Sequence, residues 1–118
     1  MHLKGDVLDH RGDWKGAQQA YEDAVAAAPD LPSAYLSWGV ALARHEKYAE
    51  PALKLEAAHQ RGPNWADPLK AWGDALAARG AWKEALAKYD AAVPLAPNWQ
   101  ALKDARLAAV FKTGGRRS

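Results

Sequence analysis

Apolar and small side chains recur along this chain at the three- and four-residue spacing of a helix. In residues 14–28, for example, Ala17, Tyr21, Ala24 and Ala28 fall on one helical face. Segments of this kind come in pairs, separated by a short glycine-containing turn and closed by a proline-containing loop. The pattern therefore predicts an all-α protein built from antiparallel helix pairs.

Seven helices are predicted from the periodicity and its breaks. Their approximate ranges are 2–10, 14–28, 33–45, 48–61, 67–79, 82–93 and 100–112. Pro51 and Pro68 fall in first turns, where proline is tolerated because its missing N–H would have had no partner. Pro94 lacks the N–H that would bond to the carbonyl of Asp90, so it should end or kink its helix early. Gly80 is expected to form a tight turn.

The same helix pair occurs three times with a fixed period. The residues that repeat every 34 positions include Gly5, Gly39 and Gly73, and the closing prolines Pro29, Pro63 and Pro97. Glycine inside a helix costs roughly 1 kcal/mol relative to alanine, so a repeated helical glycine needs a packing reason. A period of this length with this residue order is typical of a helical solenoid.

The repeats divide the chain into segments. The predicted segments are a first repeat at 1–31, a second at 32–65, a third at 66–99, a capping helix at 100–112 and a flexible basic tail at 113–118. Lys103, Arg106 and Leu107 stand where earlier copies carry residues that face a partner helix, which is typical of a terminal capping helix. The first copy lacks part of its opening turn, so we expect the chain to be a piece of a longer protein.

Composition and charge exclude several classes of function. The chain of 118 residues is 49% hydrophobic and 25% charged, as in soluble globular proteins, and it contains no cysteine for disulfides or zinc thiolates. The net charge of +2 comes from the end of the chain, because residues 1–111 hold 13 basic and 14 acidic side chains. That balance gives no electrostatic case for nucleic acid, and three basic residues near the C-terminus are too few to indicate membrane binding. Without a secretion signal or an apolar run of roughly 18 residues, a cytoplasmic location is expected.

The period and the residue order resemble the tetratricopeptide repeat (TPR) family. The match covers about residues 1–112 and is carried by Gly5, Gly39 and Gly73, by Ala17 and Ala85, by Ala24, Ala58 and Ala92, and by Pro29, Pro63 and Pro97. The resemblance implies a right-handed α-solenoid whose concave face, lined by the first helix of each pair, holds a peptide or a helix of a partner. Tyr35 with Trp38, and Leu69 with Trp72, exchange the family's usual large and medium positions, a volume-conserving swap that should be tolerated.

The resemblance also bears on which peptides bind. In this family a clamp of basic and asparagine side chains grips the acidic C-termini of heat-shock chaperones. The corresponding positions here are His2, Asp6, Ser37, Asp67 and Ala71. Because none of them is lysine, arginine or asparagine, we expect that chaperone tails are not ligands of this chain.

The concave positions form what we call the predicted lane. Its residues are Asp6, Asp9, His10, Ser33, Leu36, Ser37, Val40, Arg44, Asp67, Lys70, Ala71, Asp74, Asp104 and Phe111. Five aspartates face two basic residues, Arg44 and Lys70, with an apolar middle around Leu36 and Val40. This composition favours a partner segment with basic residues around an apolar anchor. The alternative is an ordinary solvated helix face with incidental acidic residues.

Other residues that carry chemistry give weaker signals. His2, Asp6 and His10 share one helical face, but no fourth ligand accompanies them, so no metal and no cofactor is predicted. The chain has no nucleophile paired with a base, no phosphate-binding loop and no paired-carboxylate site, which indicates that it is not an enzyme. His45 and His59 are expected at the surface near helix ends.

The aromatic residues recur in register with the small ones. Those within helices are Trp14, Trp38, Tyr48, Trp72 and Trp82. Their recurrence predicts core packing rather than base stacking. Trp65 and Trp99 each precede a first helix and resemble hydrophobic staples, one of which could add to a contact surface.

Three functions compete at this point. The leading hypothesis is a protein interaction module that binds through its concave face. The second is a structural part of a longer TPR array, with self-association through apolar surface around Leu3 and Val7 at the N-terminal end. The third is a substrate-recognition arm of a larger enzyme.

Overall fold

The computed structural model describes Gly5 and residues 12–45 and 51–114, and their regular structure is helical. The helices are α1 (Trp14–Ala27), α2 (Pro32–Arg44), α3 (Pro51–Arg61), α4 (Ala66–Ala78), α5 (Trp82–Ala92) and α6 (Gln100–Lys112), with a 3-10 turn at Val93–Leu95. These six helices stand where seven were predicted. The remaining one, at about 2–10, lies outside the described residues except for Gly5, as does the start of the helix predicted at 48–61.

The chain divides into two compact units, Met1–Gly62 and Pro63–Ser118. In the first unit α1 packs on α2, and α2 packs on α3. In the second unit α4 packs on α5, and α6 contacts both of them. The predicted repeat boundaries at 31/32 and 65/66 stay predictions, and the surface expected around Leu3 and Val7 falls outside the described residues.

Each unit has its own core of alanines and a few large side chains. In the first, Tyr21, Leu42 and Leu55 are buried, and Trp38 packs with α1 and α2 residues. In the second, Tyr89 and Leu102 are buried together with residues that include Leu69, Ala85, Ala92 and Ala109. Small alanines allow the helix axes to approach, and the larger residues fill the remaining space.

The repeated glycines lie where the second helix of each pair comes closest. Each faces a large side chain 16 residues further on: an added Cβ would lie 2.7 Å from Tyr21 at Gly5, 2.6 Å from Leu55 at Gly39 and 2.5 Å from Tyr89 at Gly73. Carbon atoms cannot approach so closely without displacement of the neighbour. The packing reason predicted for these glycines is therefore confirmed.

The helix ends follow the local chemistry of the chain. Gly12 and Gly80 both have a φ near +80°, a left-handed conformation that glycine adopts without strain, at the turns that precede α1 and α5. Asp13 caps α1 by accepting a hydrogen bond from the backbone N–H of Gly16 at 2.9 Å. As predicted, the helix that contains Asp90 ends before Pro94, which lies in the 3-10 turn.

Candidate partner-binding site

In the first unit, the described residues of the predicted lane lie on α2. Ser33 and Arg44 are exposed, whereas Leu36, Ser37 and Val40 are half-buried. The polar ends and the apolar middle of this stretch therefore remain accessible to a ligand. Asp6, Asp9 and His10, the other lane residues of this unit, lie outside the described residues.

In the second unit, the lane residues lie on α4 and α6, two helices in direct contact. Lys70, Ala71 and Asp67 on α4 are half-buried; the described α6 members, Asp104 and Phe111, are exposed. Phe111 retains 63% of its accessible surface, an uncommon exposure for a phenylalanine. Acidic and apolar groups are thus both available on this pair of helices.

Asp74 has two side-chain partners among the described residues. Its Oδ1 accepts a hydrogen bond from the hydroxyl of Tyr89 at 2.6 Å, and its Oδ2 lies 2.7 Å from Lys70 Nζ. Burial, followed by the hydrogen bond and the negative charge of Asp74, raises the pKa of Tyr89 above its ordinary value. Both carboxylate oxygens therefore have partners, although 47% of the Asp74 side chain is still exposed.

Lys70 has a second neighbour besides Asp74. Its Nζ lies 5.6 Å from the centre of the Trp99 ring, within the range of a cation–π interaction. Trp99 occupies the N-cap position of α6 and packs against the core of the second unit. Trp99 therefore contacts a residue of the predicted lane, while its part in a partner-contact surface stays a prediction.

Three aspartates and one lysine set the charge of the predicted lane on α4 and α6. Lys70 neutralises Asp74, and Gln100 donates a hydrogen bond to Asp104 at 2.8 Å without changing its charge. Asp67 and Asp104 remain as carboxylates that no basic side chain of the described residues neutralises by an ion pair. The segment on α4 and α6 is therefore acidic by about two charges at neutral pH.

A second set of contacts was not predicted from the sequence. Lys54 Nζ lies 3.9 Å from the ring centre of Trp38, and Lys88 Nζ lies 3.8 Å from that of Trp72. In both pairs the lysine follows the tryptophan by 16 residues, the same offset that joins each repeated glycine to its neighbour. The same offset within each helix pair thus brings a lysine onto a tryptophan ring in both cases, and this offset can be read from the sequence.

The described helix tryptophans pack in or against the cores, as predicted, whereas Tyr48 lies outside the described residues. Trp38 is buried and donates its indole N–H to Gln18 Oε1 at 3.1 Å. Trp14 is half-buried and stacks on His45 with ring centres 3.9 Å apart. His45 is the C-cap residue of α2, as expected for a histidine near a helix end, and it is half-buried against the Trp14 ring.

The outer face of α6 carries the positions that were expected to turn polar. Lys103 and Arg106 are exposed, and Leu107 is 53% exposed. They border an open cavity of about 680 Å³ between α5 and α6, where the guanidinium of Arg106 also bonds to Asp90. The lane residue Asp104 lines the same cavity, so this face adjoins the α6 part of the lane, and the capping role of α6 stays a prediction.

Two further findings concern chemistry and membranes. Within residues 12–45 and 51–114, no group of three or more histidine, aspartate or glutamate side chains is placed to hold a metal ion. No helix in the described parts of the chain is long and apolar enough to cross a membrane. The candidate trio His2, Asp6 and His10 lies outside those parts.

Comparison with solved structures shows which known fold this chain resembles. No protein-family model and no curated protein matches the chain. Among solved structures, the first TPR of Spaghetti (RPAP3), bound to the HSP90 peptide SRMEEVD, superposes with a TM-score of 0.85 at 20% identity over 94% of this chain and 90% of that one. MamA of MSR-1 gives 0.75 at 22% identity, and MamA of AMB-1 gives 0.76 at 22% identity, each over 93% of this chain.

These likenesses define the class of protein to which the fold belongs. The chain has the fold of a TPR protein, an all-α solenoid of helix pairs, as the period of 34 residues predicted. It spans 63% and 60% of the length of the two MamA chains. The TPR resemblance is thus confirmed at the level of fold.

Proposed function

We propose that this chain is a non-catalytic protein interaction module that binds a partner segment with basic residues around an apolar anchor. The observation that carries the proposal is the surface of α4 and α6. Asp67 and Asp104 leave it acidic, and Phe111 adds an exposed aromatic side chain. Carboxylates and an exposed aromatic side chain on the same pair of helices favour a ligand of opposite charge with one or more apolar side chains.

One structural neighbour supports a peptide or protein ligand, and the charge expected of that ligand follows from the aspartates of this chain. The peptide bound by the first TPR of Spaghetti (RPAP3) has the sequence SRMEEVD, which contains three acidic residues. In this chain the described lane offers aspartates at Asp67 and Asp104, and Lys70 is already paired with Asp74. We therefore include in the proposal that acidic chaperone tails are not the ligands.

The first unit contributes to the proposal through α2. Leu36 and Val40 are half-buried between the exposed polar residues Ser33 and Arg44. Partial burial holds such aliphatic side chains in place while part of their surface stays available for contact. We propose that this stretch takes up apolar side chains of the partner.

A peptide-display selection on the immobilised protein tests the proposal. The selection is run beside an Asp67→Lys/Asp104→Lys variant and a Glu56→Lys/Glu84→Lys control. Glu56 and Glu84 are exposed and lie outside the lane, and Glu84, like Asp67, is an acidic residue in the first turn of its helix. The two variants therefore change the net charge equally and perturb helix ends to a similar extent.

The expected result is a set of peptides, rich in lysine or arginine around an apolar residue, that bind the wild type and the control and not the lane variant. Selected peptides that bind all three proteins equally would contradict the proposal, and so would a selection that yields no peptide. Asp74 stays unchanged in these variants because Tyr89 depends on it.

A structural role is the second candidate, and the exposed apolar residues of α6 favour it. Leu107 and Phe111 retain 53% and 63% of their accessible surface, as a contact surface for further helices or a second copy would require. Multi-angle light scattering across a concentration series tests this role: association lost in a Leu107→Gln/Phe111→Gln variant would support it, and a monomer at every concentration would oppose it. A recognition arm in a larger enzyme and a cytoplasmic location remain predictions.

A further inference from the structure

Lys70 lies between two groups that commonly bind organic cations. Its ammonium group is 2.7 Å from Asp74 Oδ2 and 5.6 Å from the centre of the Trp99 ring. A carboxylate attracts a cation by charge and hydrogen bonding, and a tryptophan face attracts it through the ring quadrupole. Lys70 thus has the surroundings that a lysine or arginine of a basic partner segment would need.

The two groups that surround Lys70 are held in place by other contacts. The Asp74 carboxylate accepts a hydrogen bond from Tyr89, whose side chain is 2% exposed and packed in the core. Trp99 is half-buried, packs on the same core and begins α6. Both the carboxylate and the ring would therefore keep their positions if Lys70 moved away, so the site is preorganised for another cation.

Lys70 itself can be displaced. It belongs to the same helix as Asp74, four residues before it, and helix pairs of this kind shift an equilibrium by only about twofold. Its side chain is 18% exposed, and rotation about the bonds of its four-carbon stem would carry the ammonium group into water. Asp74 can be reached from solvent because 47% of its side chain is exposed.

The combination of groups around Lys70 is not repeated at the comparable lysine of the same unit. Lys88 lies over Trp72 at 3.8 Å, but it forms no ion pair with any other described residue. A lysine that only rests on a tryptophan contributes to packing. Lys70 in addition forms an ion pair with Asp74, a carboxylate of the predicted lane. The combination of this carboxylate with the tryptophan ring makes a ligand site.

We propose that Asp74 and the face of Trp99 form a binding site for one ammonium or guanidinium group of the partner segment, and that Lys70 occupies this site in the free protein. The proposal rests on the proposed function and names the chemical group that the acidic lane recognises. When a partner binds, its cation replaces Lys70 in the site. Because Lys70 competes with that cation, it lowers the affinity for weakly basic segments and makes binding more selective.

The test measures the affinity of one small probe for a series of variants. The probe is the peptide N-acetyl-leucyl-arginyl-leucine amide, titrated by NMR while the indole N–H of Trp99 is followed. An otherwise identical peptide with citrulline in place of arginine is the uncharged control. Lys70→Met is compared with Lys88→Met, which removes the same charge from a neighbouring tryptophan, and circular dichroism checks that each variant is folded.

We expect the arginine peptide to bind Lys70→Met about three- to tenfold more tightly than the wild type, from the lost helix pair and cation–π contact together. The affinity of Lys88→Met should stay within about twofold of the wild type, since its lysine competes for no ligand site. Adding Asp74→Asn or Trp99→Leu to Lys70→Met should remove the gain, and the citrulline peptide should gain nothing.

An equal gain in Lys88→Met would overturn the proposal, because a general change in charge would then explain it. The proposal would also be overturned if the arginine peptide bound Lys70→Met no more tightly than the wild type, or if it bound no variant at all. The same holds if the gain in affinity persisted when Asp74→Asn was added. If Lys70→Met shows no gain while selected peptides still depend on Asp67 and Asp104, only the displacement of Lys70 is wrong. If the selected peptides also do not depend on Asp67 and Asp104, the proposed function is wrong as well.

Discussion

Replacing Gly73 by alanine probes the close contact between α4 and α5. The new Cβ would lie 2.5 Å from Cε1, 2.8 Å from Cδ1 and 3.0 Å from Cζ of Tyr89. The ring cannot turn away freely, because it is 2% exposed and its hydroxyl donates a 2.6 Å hydrogen bond to Asp74. Either the helices separate or the ring shifts and weakens that hydrogen bond.

Two opposing effects set the magnitude. Alanine favours a helix over glycine by roughly 1 kcal/mol. Overpacking typically costs about 1–3 kcal/mol, and weakening a hydrogen bond to a carboxylate adds about 1 kcal/mol. We therefore expect Gly73→Ala to lower the free energy of unfolding by about 1–3 kcal/mol, and Gly73→Leu to lower it further. In a chain of 118 residues this corresponds to a melting temperature lower by several degrees.

Urea denaturation followed by circular dichroism measures the effect, with Ala87→Gly as the control. Ala87 is exposed within α5, so its replacement by glycine reports the helix-propensity term alone, about 1 kcal/mol of destabilisation. If packing has no role at Gly73, its replacement by alanine should stabilise the protein by that amount. A stabilised Gly73→Ala variant would refute the account of the repeated glycines.

Three further predictions rest on single contacts. Tyr89→Phe should lower stability by about 1 kcal/mol at pH 7. Burial and Asp74 raise the pKa of Tyr89 in the folded state, so the unfolded state releases this proton at a lower pH. The stability of the wild type should therefore fall above about pH 10, and the difference in stability between the wild type and Tyr89→Phe should shrink. Urea titrations at pH 8–11 would measure both changes. Asp13→Ala removes a helix cap and should cost about 1 kcal/mol, with faster amide exchange confined to the first turn of α1. Lys88→Met should lower the free energy of unfolding by about 0.5–1 kcal/mol because the contact with Trp72 is lost, and thermal melts would measure this. If the variant is as stable as the wild type, that contact does not contribute to stability.

The repeated helix pairs were predictable from the sequence because their signals are local or strictly periodic. Gly39 and Gly73 recur 34 residues apart, and each needs a close neighbour to justify a helical glycine. Pro94 stops its helix through its own missing N–H, and Gly80 turns the chain through its own backbone freedom. Such features need no knowledge of distant residues.

The details of the lane were less predictable because they join different helices. Lys70 and Asp74 are four residues apart, so their ion pair could be expected from helix geometry. The hydrogen bond from Tyr89 to Asp74 depends on how far one helix lies from the other, which no spacing reports. The approach of Lys70 to Trp99 depends in addition on how α6 meets α4.

The most direct test of the central claim is to map where a selected basic peptide binds. Amide and side-chain NMR shifts of the labelled protein are recorded as the peptide with the highest affinity from the selection is added. The account predicts that the shifts concentrate on the lane residues of α4 and α6, including Asp67, Ala71, Asp104 and Phe111, and on the indole N–H of Trp99. Shifts confined to α5, or shifts that leave Asp67, Ala71 and the Trp99 indole unaffected, would contradict it.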